Sequence, residues 1–96
     1  MQPRAPVRSF LDLEAWQRAR ELHRAVCVAT DGPIFRRNFR LSDQIRASAA
    51  SAMANIAEGF ERASRPQFHQ SLCVAKGEAG ETLSHIYAAL DAGCLD

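Results

Sequence analysis

Phe68, Leu72, Ala75, Ala79, Leu83, Ile86 and Leu90 recur at steps of three and four through the last third of the chain, a spacing that only an α-helix gathers onto one face. Two further stripes share that period. Leu13, Trp16, Ala19, Leu22 or His23, Val26 and Ala29 predict a first helix from about Asp12 to Thr30, with Arg18, Glu21 and Arg24 on its opposite face. Ile45, Ala49, Ala52 or Met53, Ile56 and Phe60 predict a second from Ser42 to about Glu61. No segment alternates as a half-buried strand does, so the fold class is all-α, an up-down helical bundle with short connections.

The punctuation agrees with that division. Asp31-Gly32-Pro33 reads as a stop, with a glycine free to turn left-handed and a proline that cannot continue a helix. Residues 31–41 then form a basic connection. Ser42 is the expected N-cap of the second helix, with Asp43 near the positive end of its dipole. Ser64 and Gln67 have the spacing of a capping box for the third, Pro66 is tolerated in its first turn, and Gly93 is its expected terminator. At 1.5 Å per residue the helices are about 27, 30 and 40 Å long, so the end of the third lacks a full-length neighbour within the chain.

A chain of 96 residues is a single domain, here 10–96 after a flexible, proline-containing arm at 1–9. It buries only about 60–65% of its unfolded surface, which makes oligomerisation a natural source of further stability. Aromatic residues are 7% of the sequence, so small side chains must fill much of the core. The formal net charge of +1 supplies no global attraction to nucleic acid. The charges are unevenly placed, however. Arg36, Arg37, Arg40 and Arg46 crowd one junction, whereas Glu78, Glu81, Asp91 and Asp96 dominate the last third, with Lys76 as the nearby base. No apolar run suits a signal peptide or a membrane span, and the three cysteines lack framework spacing. A soluble, cytoplasmic protein with reduced thiols is expected.

The second helix carries the unusual stretch Asn55-Ile56-Ala57-Glu58-Gly59-Phe60. Glycine inside a helix costs about 1 kcal/mol relative to alanine, and a buried amide or acid needs a partner, so the stretch implies close, polar-keyed helix packing. Ala47 to Ala54 is almost entirely alanine and serine, which also lets helices approach closely. Together with Phe10-Leu11-Asp12-Leu13-Glu14-Ala15-Trp16-Gln17, Leu41-Ser42-Asp43-Gln44-Ile45-Arg46, and Ala75-Lys76-Gly77 with Glu81, this stretch makes the chain resemble the 23S rRNA-intervening sequence proteins. The resemblance spans nearly the whole chain. It marks Gln44, Arg46, Asn55, Glu58, Gly59, Gly77 and Glu81 as motif positions.

That resemblance implies an antiparallel four-helix-type bundle that assembles into pentameric rings, and an association with nucleic acid. A similar-looking group, the accessory variability determinants of diversity-generating retroelements, works as a basic pentamer that binds nucleic acid and a reverse transcriptase. Three departures stand out. The family usually continues into a fourth helix, here either truncated or supplied by another copy. Ala47 replaces the second of two paired arginines, and Arg37 and Arg40 stand where an acid and a glycine are common.

Several clusters admit two readings. Ser51, Asn55 and Glu58 share a helix side and are read as a structural network, in which Arg46 or Arg62 pairs with Glu58 and Asn55 bonds a neighbouring helix. No second titratable group converges with them as acid–base catalysis requires, so no catalytic residue and no enzyme activity is expected. His23 with Cys27 and His69 with Cys73 are i,i+4 pairs that together would supply four zinc ligands. A mismatch of about 10 Å in their heights along the bundle argues against one shared ion. The cysteines are read as packing residues, with no metal and no cofactor expected. Gly59, Gly77 and Gly80 are read as close-contact positions between helices.

Arg36, Arg37, Arg40, Arg62 and Arg65 flank the connections and, with Arg46, are the candidate nucleic-acid-binding residues. A ring of copies would multiply their local charge into a phosphate-contacting rim. Binding by these residues is expected to be weakly sequence-specific. The function expected is a non-enzymatic, homo-oligomeric scaffold bound to the RNA or DNA backbone. The alternative is a structural module that docks a protein partner, and neither reading involves a membrane.

Overall fold

The computed structural model describes residues 6–62 and 64–95. A short 3-10 turn at Phe10–Asp12 leads into α1 (Glu14–Ala29), followed by a small helix α2 (Pro33–Arg37) and the two long helices α3 (Phe39–Glu61) and α4 (Arg65–Asp91). The described residues contain no strand. The expected all-α bundle with three long helices is the fold observed.

Capping fixes the 3-10 turn that leads into α1. The Leu11 amide donates to Ser9 Oγ at 3.2 Å, and the Asp12 carboxylate accepts from the amides of Arg8 and Ser9 at 2.9 and 3.2 Å. This reciprocal arrangement satisfies amides that a helix start leaves unpaired. Arg8 and Ser9 are thereby tied to the bundle, while residues 1–5 of the expected arm lie outside the described residues. Phe10 then meets Trp16 edge to face at 5.1 Å between ring centroids.

The connection after α1 departs from expectation. Thr30 closes α1 by donating both its amide and its hydroxyl to the Val26 carbonyl, at 2.9 and 2.8 Å. Gly32 is extended, at φ −145°, rather than left-handed. Pro33 occupies the first turn of α2, where its missing N–H costs nothing, so the proline starts a helix instead of only stopping one. Phe35 projects from α2 into the core and is almost fully buried. Asn38 then caps α3, and the Ser42 amide already donates to the Asn38 carbonyl at 3.1 Å. Ser42 is therefore a buried residue of the helix interior, not its N-cap, and Asp43 lies beyond the first turn.

α3 is the central helix: it packs along both α1 and α4, which make little contact with each other. Val26, Phe35, Ile45, Ala49, Ala89 and Cys94 form the core, with Leu22, Leu41, Ile86 and Leu95 packed around it. Ser48 and Thr82 are buried between α3 and α4 with their hydroxyl oxygens 2.7 Å apart. Their hydroxyls also reach the Ile45 and Glu78 carbonyls, so each buried oxygen is satisfied.

At the start of α4, Ser64 Oγ accepts from the Gln67 amide at 3.3 Å but donates its own proton to Gln67 Oε1. Half of the expected capping box is formed. At the other end Gly93 adopts φ 77°, its amide donates to Leu90, and the Cys94 amide donates to Ala89. This is the Schellman termination that the glycine position predicted, and it seats Cys94 in the core.

The predicted α4 stripe is only partly buried. Of its members only Ala75 is fully buried, whereas Leu83 is 55% and Leu90 39% exposed, because their side of α4 faces the position that a fourth helix occupies in a square bundle; Ala89, outside the predicted stripe, is buried instead. The whole-chain dimensions agree. The radius of gyration is 15.4 Å, against about 12.5 Å for a compact chain of this length. The shortest principal extent is 18 Å.

Candidate functional site

The motif residues concentrate on the seam between α3 and α4. Gln44, Ser48, Ser51, Asn55, Glu58 and Arg62 follow one another along α3 at alternating steps of four and three, and therefore share one side of it. Facing them across α4 are Gln67, Ser71, Glu78 and Glu81. Two clefts open along this seam. One, of about 240 Å³, is lined by Asn55, Glu58, Arg62, Gln67, Gln70, Ser71 and Val74. The other, of about 320 Å³, lies between Gln44, Ala47, Ser48 and Ser51 on α3 and Glu78 and Glu81 on α4.

Gly59 is what allows the helices to meet beside the first cleft. A Cβ built on it would fall 2.4 Å from the Ser71 Cβ and 2.7 Å from its Oγ, so any side chain there pushes α3 and α4 apart. Gly77 and Gly80 behave otherwise. Both lie exposed, and an added Cβ would meet nothing within 4 Å, so the close-contact role expected for them is absent within the chain.

The expected network is more local than its residues suggested. Asn55 Nδ2 donates to the Ser51 carbonyl at 2.9 Å and approaches its Oγ at 3.3 Å, both one turn back on the same helix rather than on a neighbour. Glu58 pairs with Arg62, also within α3, leaving both half-exposed. Arg46 instead donates through Nε to Thr30 Oγ1 at 2.6 Å, binding α3 to the end of α1. Glu81 lies 3.3 Å from His85, one turn later on α4.

The arginines form two separate groups. Arg36 and Arg37 in α2 and Arg40 in the first turn of α3 are all exposed at one end of the bundle. Arg62 and Arg65 are at the other end, about 33 Å away at 1.5 Å per residue along α3. Arg62 is offset by Glu58, whereas Arg36, Arg37 and Arg40 have no ion-pair partner among the described residues. The α2 end thus carries three exposed guanidinium groups that form no ion pair among the described residues, next to an α3–α4 seam that carries more acid than base.

A third surface lies between α1 and α4. Ala15, Ala19 and Leu22 form one wall, Leu72, Ala75 and Ala79 the other, and Ala52 and Ile56 of α3 the floor, with Arg18 and Lys76 at the rims. This apolar groove of about 370 Å³ opens where α1 and α4 fail to meet.

The arrangement of helices and motif agrees with a match over residues 11–96 to the model of a family described as 23S rRNA-intervening sequence protein. The chain belongs to this family. No curated protein and no solved structure matches it. Among the described residues of this 23S rRNA-intervening sequence protein, no helix is long and apolar enough to cross a membrane.

Sequence periodicity missed Phe35, Ser48, Thr82 and Ser71 as packing residues. Phe35 lies in the segment 31–41, whose sequence reads as a connection. The other three carry hydroxyls, which apolar patterning passes over. The signal available for Thr82 was its place in the series Ala75, Thr82, Ala89, one heptad apart on the face buried against α3.

Proposed function

We propose that this chain is a non-enzymatic, cytoplasmic, homo-oligomeric helical scaffold that associates with nucleic acid through the phosphate backbone, with Arg36, Arg37 and Arg40 as the contacting residues. The observation that carries this reading is the patch of three exposed, unpaired guanidinium groups on adjoining turns of α2 and α3. The family's description supports an RNA context. Guanidinium groups suit phosphate because their planar fork of donors is permanently charged. The separation of Arg62 and Arg65 from this patch assigns them a lesser role within one copy. Assembly, pentameric by the family resemblance, would repeat the patch and raise its field without changing the chain's near-zero net charge.

One feature favours the alternative, a module that docks a protein: the α1–α4 groove is apolar and open in the single chain. If self-association covers the groove, the scaffold reading stands; if it remains open in the assembled protein, a protein partner is the better reading.

Titration of an unstructured RNA into the protein at several salt concentrations tests the primary reading. Affinity is expected to fall steeply with salt. Replacing Arg36, Arg37 and Arg40 together by Gln should reduce the magnitude of the log–log salt slope by about 2, the value for three single-strand phosphate contacts. Unchanged binding in that variant would move the contact elsewhere, and no wild-type binding at low salt would favour protein docking.

A further inference from the structure

The Cys73 thiol lies 3.7 Å from Nε2 of His69, one turn earlier on α4. A tetrahedral Zn2+ site, with Zn–S near 2.3 Å and Zn–N near 2.0–2.1 Å, separates its sulfur and nitrogen donors by about 3.6 Å. The pair therefore already stands at chelating span. Both side chains are exposed, so an ion can reach them without opening the core. A second pair on α1, His23 and Cys27, shows the same 3.7 Å separation but is half-buried. No group of three or more His, Cys, Asp or Glu side chains converges among the described residues. Each pair within one chain is therefore half of the four-ligand set that a closed zinc site uses.

The surface around His69 and Cys73 indicates what completes it. His69, Cys73, Lys76, Gly80, Leu83, Tyr87 and Leu90 follow at alternating steps of four and three, the spacing of a coiled-coil seam, and every one of them is exposed. Leu83, Tyr87 and Leu90 are 55%, 61% and 39% exposed, far from settled for side chains of that size. A second copy laid parallel along this seam, about a two-fold axis, sets like residues opposite one another. The three large side chains then cover each other at the C-terminal end, and two His–Cys pairs meet at the N-terminal end. Gly80, beside which a Cβ has open space, permits close approach at the centre. Lys76 opposes closure by like-charge repulsion, but its four-carbon stem lets the ammonium reach solvent at the edge.

We propose that His69 and Cys73 form half of a tetrahedral Cys2His2 site for Zn2+, completed by the same pair of a second copy across the uncovered seam of α4. Each Cys73 thiol releases its proton to solvent as the thiolate binds, and each His69 donates the Nε2 lone pair. Two thiolates balance the charge of the ion. The inference uses neither the arginine patch nor nucleic acid, and it adds a metal-dependent contact to whatever assembly the metal-free chain forms.

Co2+ is the probe, titrated into the reduced, metal-free full chain. The expected result is a near-ultraviolet thiolate-to-cobalt band with the intense visible bands of a tetrahedral ion, saturating at one Co2+ per two chains. Zn2+ should raise the light-scattering mass above its metal-free value, and a chelator should reverse the change. Cys73→Ser and His69→Ala should each abolish both responses, while Cys27→Ser keeps them. Helical circular dichroism checks that the variants fold. Absence of the thiolate band, its survival in Cys73→Ser, its loss in Cys27→Ser, or saturation without a change in mass would each overturn the proposal.

Discussion

Gly59 is the residue whose side chain matters most by being absent. With Ser71 Cβ only 2.4 Å from a built Cβ, Gly59→Ala must separate α3 from α4 locally. That overpacking costs about 1–3 kcal/mol, against about 1 kcal/mol gained from the better helix propensity of alanine. A net loss of stability is expected in thermal or denaturant melting, and Ser71→Gly in the same chain should recover part of it by removing the obstructing Cβ. Asn55→Leu should behave differently, because its amide bonds only the Ser51 of its own helix turn. The melting free energy should change by no more than about 0.5 kcal/mol, and a larger loss would indicate a partner on another helix or copy. The glycine and amide were legible in the sequence as exceptions to a helical pattern. Which of Gly59, Gly77 and Gly80 actually makes a close contact depends on the position of α4, and local sequence does not contain that position.

At the scale of the element, α2 tests how a short helix is held. Five residues are too few to be helical by propensity alone, so its retention depends on Phe35 in the core beside Val26 and Ile45. Phe35→Ala is expected to cost about 3–5 kcal/mol. Hydrogen exchange should show the α2 amides losing protection before those of α3. Equal loss in both helices would mean that α2 has no separate opening. The three long helices were readable because each repeats its apolar stripe over several turns. α2 was not, because Gly32 and Pro33 are the residues of a break as well as of a helix start, and one phenylalanine makes no periodicity. The same ambiguity misplaced the beginning of α3: Ser42 has the chemistry of a cap, but the turn before it continues the helix back to Phe39.

For the whole molecule, the decisive feature is the quadrant left open between α1 and α4. Its walls of Ala15 and Ala19 on one side and Ala75 and Ala79 on the other are small enough to admit a helix backbone closely, and its floor of Ala52 and Ile56 is apolar. A chain of 10.6 kDa with this surface open should associate. In metal-free buffer at micromolar concentration, light scattering is expected to give a mass of several chains, and a folded monomer there would remove the oligomeric scaffold from consideration. Ala15→Glu isolates the groove from the fold. Ala15 is exposed in the first turn of α1, where an acid is favoured by the helix dipole, so helix content and the melting of a single chain should hold. A carboxylate brought into an apolar contact must be desolvated, so the assembled mass should fall. A mass unchanged by Ala15→Glu would mean that copies meet on another face, with the groove left open for a protein partner.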